Sequence, residues 1–178
     1  MKWRTSIVLL TMIVMTMFAT AQALATDGVE YFVGVGAFGP QDKDSAIDVG
    51  RQVYFSPRLD LVTHDWQIAL NFTFTDIELE RGFGEDEPMY SGGLSLIHNI
   101  DIGDAWTLAP EVGFDYNILE GDGVDDRFTY KGMVSLKTPI NDTLEFVVGA
   151  GYQFDCENDF PRLAEGYFGQ IGLIFKTN

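Results

Sequence analysis

The segment 65–76, DWQIALNFTFTD, alternates between large apolar and mostly polar side chains along its length. The apolar parity carries Trp66, Ile68, Leu70, Phe72 and Phe74. The opposite parity carries Gln67, Ala69, Asn71, Thr73 and Thr75. A period of two residues predicts a β-strand with one apolar face and one polar face. In a soluble protein the apolar face is buried, whereas in a membrane barrel it faces lipid, so the fold depends on which face points inward.

Seven further segments repeat this alternation, and together they give eight predicted strands. They cover 29–38, 47–61, 90–100, 106–118, 128–137, 144–155 and 167–176. Strands of about ten residues are long enough to cross a bilayer at a tilt. No longer segment shows a helical period, and no composition shift marks an internal domain boundary. The sequence therefore predicts a single all-β domain.

The predicted connections differ in length in a regular way. Three are tight, at 63–65, 101–105 and 140–143, and four are longer and acidic, at 39–45, 80–88, 120–127 and 156–166. In a meander with an even number of strands, this pattern places the short turns at one end and the long loops at the other. Outer-membrane barrels combine short periplasmic turns with longer external loops. We therefore predict an eight-stranded antiparallel up-and-down transmembrane β-barrel.

The first residues are typical of a secretory signal peptide. Lys2 and Arg4 precede an apolar run, and the sequence AQALA at 21–25 offers small residues for cleavage after Ala23 or Ala25. An uncleaved anchor is the alternative, but the apolar run is short for a membrane span. The predicted organisation is a signal peptide at 1–25 and an outer-membrane β-barrel at 26–178.

Net charge and cysteine content exclude several classes of function. The chain has 11 basic and 27 acidic side chains, and removing Lys2 and Arg4 leaves 9 against 27, a formal charge of −18. Such an acidic protein is not expected to bind nucleic acid, which a basic patch would attract. The single cysteine, Cys156, cannot form an internal disulfide, and no zinc-type spacing of His and Cys occurs. No cofactor is predicted.

The size of the side chains predicts which face points inward. The interior of an eight-stranded barrel is just wide enough for side chains to fill it. The apolar parity, with its many Trp, Phe and Tyr side chains, is too bulky for that space. The opposite parity is small and polar and includes Gly34, Gly36, Gly50, Gly93, Gly113, Gly149, Gly151 and Gly172. We therefore expect the aromatic parity to face lipid and the glycine-rich parity to line the lumen.

The aromatic residues are sorted between the strand ends. Five tyrosines lie near the long-loop ends, namely Tyr90, Tyr116, Tyr130, Tyr152 and Tyr167. Trp66 and Trp106 lie beside the short turns. Tyr and Trp concentrate at the two membrane–water interfaces of barrels, so this sorting predicts two interfacial girdles.

On strand number, loop sorting and alternation, the mature chain resembles the small eight-stranded outer-membrane barrels of the OmpA/OmpX type. The resemblance implies a bacterial outer-membrane location, insertion by the β-barrel assembly machinery, and contact with outer-membrane lipids and lipopolysaccharide. Such proteins usually end on an aromatic residue that the assembly machinery recognises. Here the last strand reaches Phe175 and is followed by KTN.

Three classes of function are compatible with such a barrel: a non-enzymatic envelope or surface protein, a small pore, and a lipid A-modifying enzyme. Barrel deacylases carry a His-x-Ser-Asn stretch and need a His, a Ser and an acid near the outer leaflet. His64 falls in a short turn, His98 falls on the lipid-facing parity, and neither has the serine of that motif. The carboxylates of 120–126 lack EF-hand spacing. We therefore expect a non-enzymatic protein whose acidic external loops contribute to envelope structure or bind a surface ligand.

Charged side chains on the lumen parity distinguish a closed barrel from a pore. They are Glu30, Asp48, Arg58, Asp60, Glu111, Asp115, Lys131, Lys137, Glu145, Asp155 and Lys176. Unpaired charges in a narrow lumen are costly, so they should pair and close it. Centring the last short turn on Asn141 places Lys137 opposite Glu145 and Leu136 opposite Phe146. This register predicts a lumenal Lys137–Glu145 ion pair.

Overall fold

The computed structural model describes residues 28–40, 47–61, 65–79, 87–119, 127–156 and 165–177. The predicted signal peptide, His64 and most of each long loop lie outside these ranges. The described elements are all strands: β1 Val29–Pro40, β2 Ile47–Asp60, β3 Trp66–Leu79, β4 Glu87–His98, β5 Ile100–Ile102, β6 Trp106–Leu119, β7 Arg127–Asn141, β8 Leu144–Asp155 and β9 Gly166–Lys176. Within the described ranges, no helix is long and apolar enough to cross a membrane.

The strands form one closed antiparallel barrel. Each strand pairs with its neighbours in sequence, and β1 pairs with β9 from Glu30–Lys176 to Pro40–Gly166, which closes the sheet. Following paired residues once around the barrel leads from Val29 to Gly39, a stagger of ten residues on the same strand. A stagger of this kind tilts the strands against the barrel axis and fixes the width of the lumen. The predicted eight-stranded up-and-down barrel is confirmed.

The fourth barrel strand is interrupted, which the sequence pattern did not predict. Its two pieces, β4 and β5, pair with β6 in one continuous register, from Ile97 opposite Glu111 to Ile100 opposite Leu108. In this register Pro110 lies opposite His98, the last residue of β4, and a proline cannot donate a hydrogen bond to the ladder. The backbone N–H of Asn99 donates to the carbonyl of Asp65 at 2.6 Å, which continues the β3–β4 pairing by one residue. The interruption therefore falls beside the proline on β6, while Asn99 stays hydrogen-bonded to the β3 side.

The two faces of the barrel differ as expected. On the outward parity, Val112 and Tyr130 are 63% and 62% exposed, whereas Thr75, Asn117 and Val147 on the lumen parity are completely buried. The prediction that the large apolar side chains face outward is confirmed. An apolar outer surface around a polar interior is the reverse of a soluble protein and is typical of a barrel surrounded by lipid.

Small residues on the lumen parity make room for larger lumenal neighbours. A methyl group on Gly34 or Gly172 would collide with the ring of Phe32, which lies in the lumen against these glycines. A methyl group on Gly93 would collide with the carboxylate of Asp115. These glycines are therefore required for space, because the lumen is filled by a few large or charged side chains.

The predicted register of the β7–β8 hairpin is wrong. Lys137 lies opposite Val147, and Leu136 lies opposite Val148. Asn141 pairs with Leu144, its side chain accepts a hydrogen bond from the N–H of Thr143 at 3.0 Å, and a bulge follows between Pro139 and Asn141. The turn is therefore centred beyond Asn141, which shifts every pair by two residues. A shift of two leaves each side chain on its predicted face.

Candidate functional site: the barrel lumen

A polar cavity of about 240 Å³ occupies the end of the lumen that carries the short turns, the start of β1 and the end of β9. Five carboxylates, two lysines and three other polar residues line it: Glu30, Asp60, Asp65, Asp101, Glu145, Lys137, Lys176, Gln67, Asn99 and Thr107. The Lys176 ammonium lies 2.6 Å from Glu145 and 3.8 Å from Glu30. Glu145 therefore pairs with Lys176, from the neighbouring strand β9.

Lys137 lies in the same cavity but has different partners from the predicted one. Its ammonium donates to Asn99 Oδ1 at 2.7 Å and to Gln67 Oε1 at 3.3 Å. The amide of Gln67 in turn donates to Glu30 at 2.9 Å and to Asp60 at 2.8 Å. The predicted Lys137–Glu145 pair is thus replaced by two amide acceptors, because the corrected register places Val147 opposite Lys137.

The Asn99–Lys137 contact predicts a measurable coupling. Asn99→Leu removes an acceptor from a buried ammonium and should lower the free energy of unfolding by about 1.5–3 kcal/mol, the range for hydrogen bonds to charged groups. In a Lys137→Met background the same substitution should cost less than about 1 kcal/mol. Urea unfolding of the four proteins of this double-mutant cycle measures the coupling. Additive costs would contradict the contact.

An apolar layer lies directly above this cavity. Two buried clusters form it, Phe32 with Val147 and Ile174, and Ala69 with Ile97 and Ala109. Arg58, opposite both Glu30 and Ala69, is buried beside this layer, and its guanidinium lies 4.8 Å from the centre of the Phe32 ring. Its Nε meets no hydrogen-bond acceptor among the described residues. The ring face of Phe32 stabilises this buried cation.

The middle of the lumen is a hydrogen-bonded and charge-paired network. Lys131 lies 3.0 Å from Asp115 and 3.9 Å from Glu111, and all three side chains are buried. On the opposite wall Ser56 donates to Asn71, which donates to Ser95, at 3.0 and 2.6 Å. The cavity beside Lys131 measures only about 10 Å³, about the space of one water molecule.

The long-loop end of the lumen is closed in the same way. Arg127 and Asp155 form a buried ion pair at 2.9 Å. A third apolar cluster, Phe38 with Met133 and Phe168, lies below it. The described lumen therefore alternates charged and apolar layers.

The structure places all seven predicted girdle residues on the outward face. Trp66 and Trp106 are exposed beside the short turns, and Tyr90, Tyr130 and Tyr167 are exposed towards the long loops. Two more tyrosines are half-buried against aromatic neighbours, Tyr116 on Phe128 at 4.8 Å and Tyr152 on Phe154 at 4.5 Å. His98 stacks on Trp66 at 4.3 Å, and its Nδ1 lies 3.1 Å from the Asp65 carbonyl.

Several lumenal partners were not predicted from the sequence. Phe32, Phe38 and Phe168 lie on the polar parity, and their size in a glycine-rich setting could have marked them as residues that block the bore. Asn99 and Gln67 gave no comparable signal, because an amide on the lumen parity can meet any of several neighbours. Their role as acceptors for Lys137 depends on which strands the barrel brings together.

Comparison with known proteins relates this geometry to solved barrels. No protein-family model and no curated protein sequence matches the chain. The outer membrane protein OprG from Pseudomonas aeruginosa superposes with a TM-score of 0.66 at 10% identity, over 86% of this chain and 97% of that one. Neisserial surface protein A gives 0.59 at 12%, over 84% and 96%. The N-terminal barrel domain of P. aeruginosa OprF gives 0.58 at 11%, over 85% and 98%. The chain thus has the fold of the small eight-stranded outer-membrane barrels.

Proposed function

We propose that this protein is a non-enzymatic barrel of the bacterial outer membrane with a closed lumen, which contributes to envelope structure or surface interaction through its acidic loops. The observation that carries the proposal is the inverted distribution of polarity. Large apolar side chains cover the outside of the barrel. The described charged side chains lie in the lumen, with the exception of Arg51, Asp76 and those at strand ends and turns. Exposure on this scale in water would favour aggregation, whereas in a bilayer it is stabilising.

The closed interior supports a structural role over a pore. Three apolar clusters and the ion pairs of Lys131 and Arg127 lie between the two ends of the lumen. Barrels that enclose a water-filled channel are built from more than eight strands. The position of His98, stacked on Trp66 outside the lumen, supports a packing role for this histidine over a catalytic one.

Cell fractionation tests the membrane location. The protein should be recovered with the outer membrane after expression in a Gram-negative host. It should also run faster on a gel before boiling than after, because a closed barrel resists detergent at room temperature. Recovery as a soluble periplasmic protein, with no heat-dependent shift, would contradict the proposal. Reconstitution in planar bilayers adds a second readout, in which large and stable openings would favour the pore.

Orientation is testable at Cys156, which is exposed just beyond the end of β8. If the long loops lie outside the cell, a membrane-impermeant maleimide should label this thiol on intact cells. A cysteine substituted for Asp104, exposed in the short turn before β6, serves as the opposite-side control in a Cys156→Ser background. If only the Asp104→Cys variant were labelled on intact cells, the short turns would lie outside the cell and the proposed orientation would be wrong.

The proposal also includes the partners that the resemblance to small outer-membrane barrels implies. Insertion would be carried out by the β-barrel assembly machinery. Outer-membrane phospholipid and lipopolysaccharide would surround the apolar band. The surface ligand, if the acidic loops have one, would bind outside the described residues.

A further inference from the structure

The outer wall of the barrel contains an apolar recess of about 350 Å³ in its long-loop half. Phe72 and Phe74 of β3, Val53 and Phe55 of β2, and Tyr90 and Gly92 of β4 line it, together with Ile118. The lining is almost wholly apolar, and the volume is in the range of small-molecule sites. Tyr54, Thr73 and Ser91 complete the lining, and the same three residues also border the small cavity beside Lys131, so the recess and the lumen lie on opposite sides of one wall.

Gly92 leaves the recess open. It is on the outward parity, opposite Phe72 on one side and Tyr116 on the other. A Cβ built at Gly92 meets no atom within 4 Å, so the barrel does not need glycine here for packing. A larger side chain at this position would instead project into the recess.

Among the described residues, one outward-facing cation lies near this recess. The described ranges contain six lysine and arginine side chains, and five of them lie in the lumen: Arg58, Arg127, Lys131, Lys137 and Lys176. Arg51 alone is exposed on the outward parity. It is two residues along β2 from Val53, which places it above the recess on the long-loop side. Asp76 lies opposite it on β3.

We propose that this recess and Arg51 together form a binding site for one phosphorylated lipid of the lipopolysaccharide class, with an acyl chain along Gly92 and a head-group phosphate on Arg51. An acyl chain matches the aromatic and aliphatic lining, since burying it removes apolar surface on both partners. A guanidinium binds phosphate through paired N–H donors, and its five donors allow it to hold a phosphate together with another acceptor. The proposal rests on the proposed outer-membrane location.

Binding is measured by native mass spectrometry of the mature barrel in detergent, titrated with bisphosphorylated lipid A. The wild type should retain one lipid A. Gly92→Leu should weaken retention at least tenfold by filling the recess. Gly132→Leu is the matched control, because Gly132 also faces outward, a Cβ there also meets nothing within 4 Å, and it lies outside the recess. Its affinity should stay within twofold of the wild type.

A second arm tests the phosphate without relying on Gly92. Wild-type protein should bind dephosphorylated lipid A at least tenfold more weakly than lipid A. In the Arg51→Gln variant most of that difference in affinity should disappear, so that the two forms of lipid A bind with similar affinity. Folding of each variant is verified by the heat-dependent gel shift.

Two outcomes would overturn the site. Equal losses in the Gly92→Leu and Gly132→Leu variants would identify the bound lipid as nonspecific surrounding lipid. Equal retention of phosphatidylglycerol, or of dephosphorylated lipid A, would show that Arg51 does not select the head group. A barrel that fractionates with the outer membrane yet retains no lipid A would refute the recess alone, whereas a soluble protein would refute the proposed location.

Discussion

Val112→Arg is expected to lower the free energy of unfolding in a lipid bilayer by about 2–4 kcal/mol, the cost of a cation near the bilayer midplane on the lipid face of a barrel. Val112 is 63% exposed and lies midway along β6, between Trp106 at one end and Tyr116 towards the other. Leu70→Arg on β3, also on the outward face, should cost a similar amount. Urea unfolding of barrels folded into lipid vesicles measures both.

Ile140→Arg is the matched control for depth. Ile140 is also outward and 56% exposed, but it lies beside the β7–β8 turn at the edge of the apolar band. An arginine there should cost only about 0–1 kcal/mol, because the charge can reach the interface. If all three substitutions were equally well tolerated in vesicles, the outward face would not be in contact with lipid.

The second large effect is expected at Lys131. Lys131→Met leaves Asp115 and Glu111 as two buried carboxylates without their shared cation, and removing one partner of a buried ion pair costs about 3–5 kcal/mol. Adding Asp115→Asn should recover part of this loss, since one of the two uncompensated charges is then removed. The same unfolding measurement applies.

Lys176→Met is the control for charge pairing. Its 2.6 Å contact with Glu145 is the shortest of the described lysine ion pairs, but the Lys176 side chain is 36% exposed. Exposed pairs contribute about 0–1 kcal/mol because water and salt screen them. A larger loss at Lys176 than at Lys131 would mean that the middle of the lumen is hydrated, which would contradict the closed barrel.

The sequence by itself determined the number of barrel strands and the direction in which their side chains face. Both follow from a period of two residues, which is a local property of the extended chain. Even the wrong β7–β8 register left Lys137 in the lumen and Leu136 outside, because the error was an even number of residues. The outward aromatic face followed from volume alone, since an eight-stranded interior cannot hold it.

Only the tertiary structure decided which lumenal groups meet. Lys137 contacts Asn99 and Gln67, which are 38 and 70 residues away in sequence. That contact depends on the turn at Asn141, on the interruption between β4 and β5 at Asn99, and on the stagger accumulated around the closed sheet. The apolar layer of Phe32, Val147 and Ile174 likewise joins three strands that meet where β1 and β9 close the barrel. Alternation fixes the face of each residue, but its neighbours across the lumen depend on every register in the barrel, and a local pattern does not encode them.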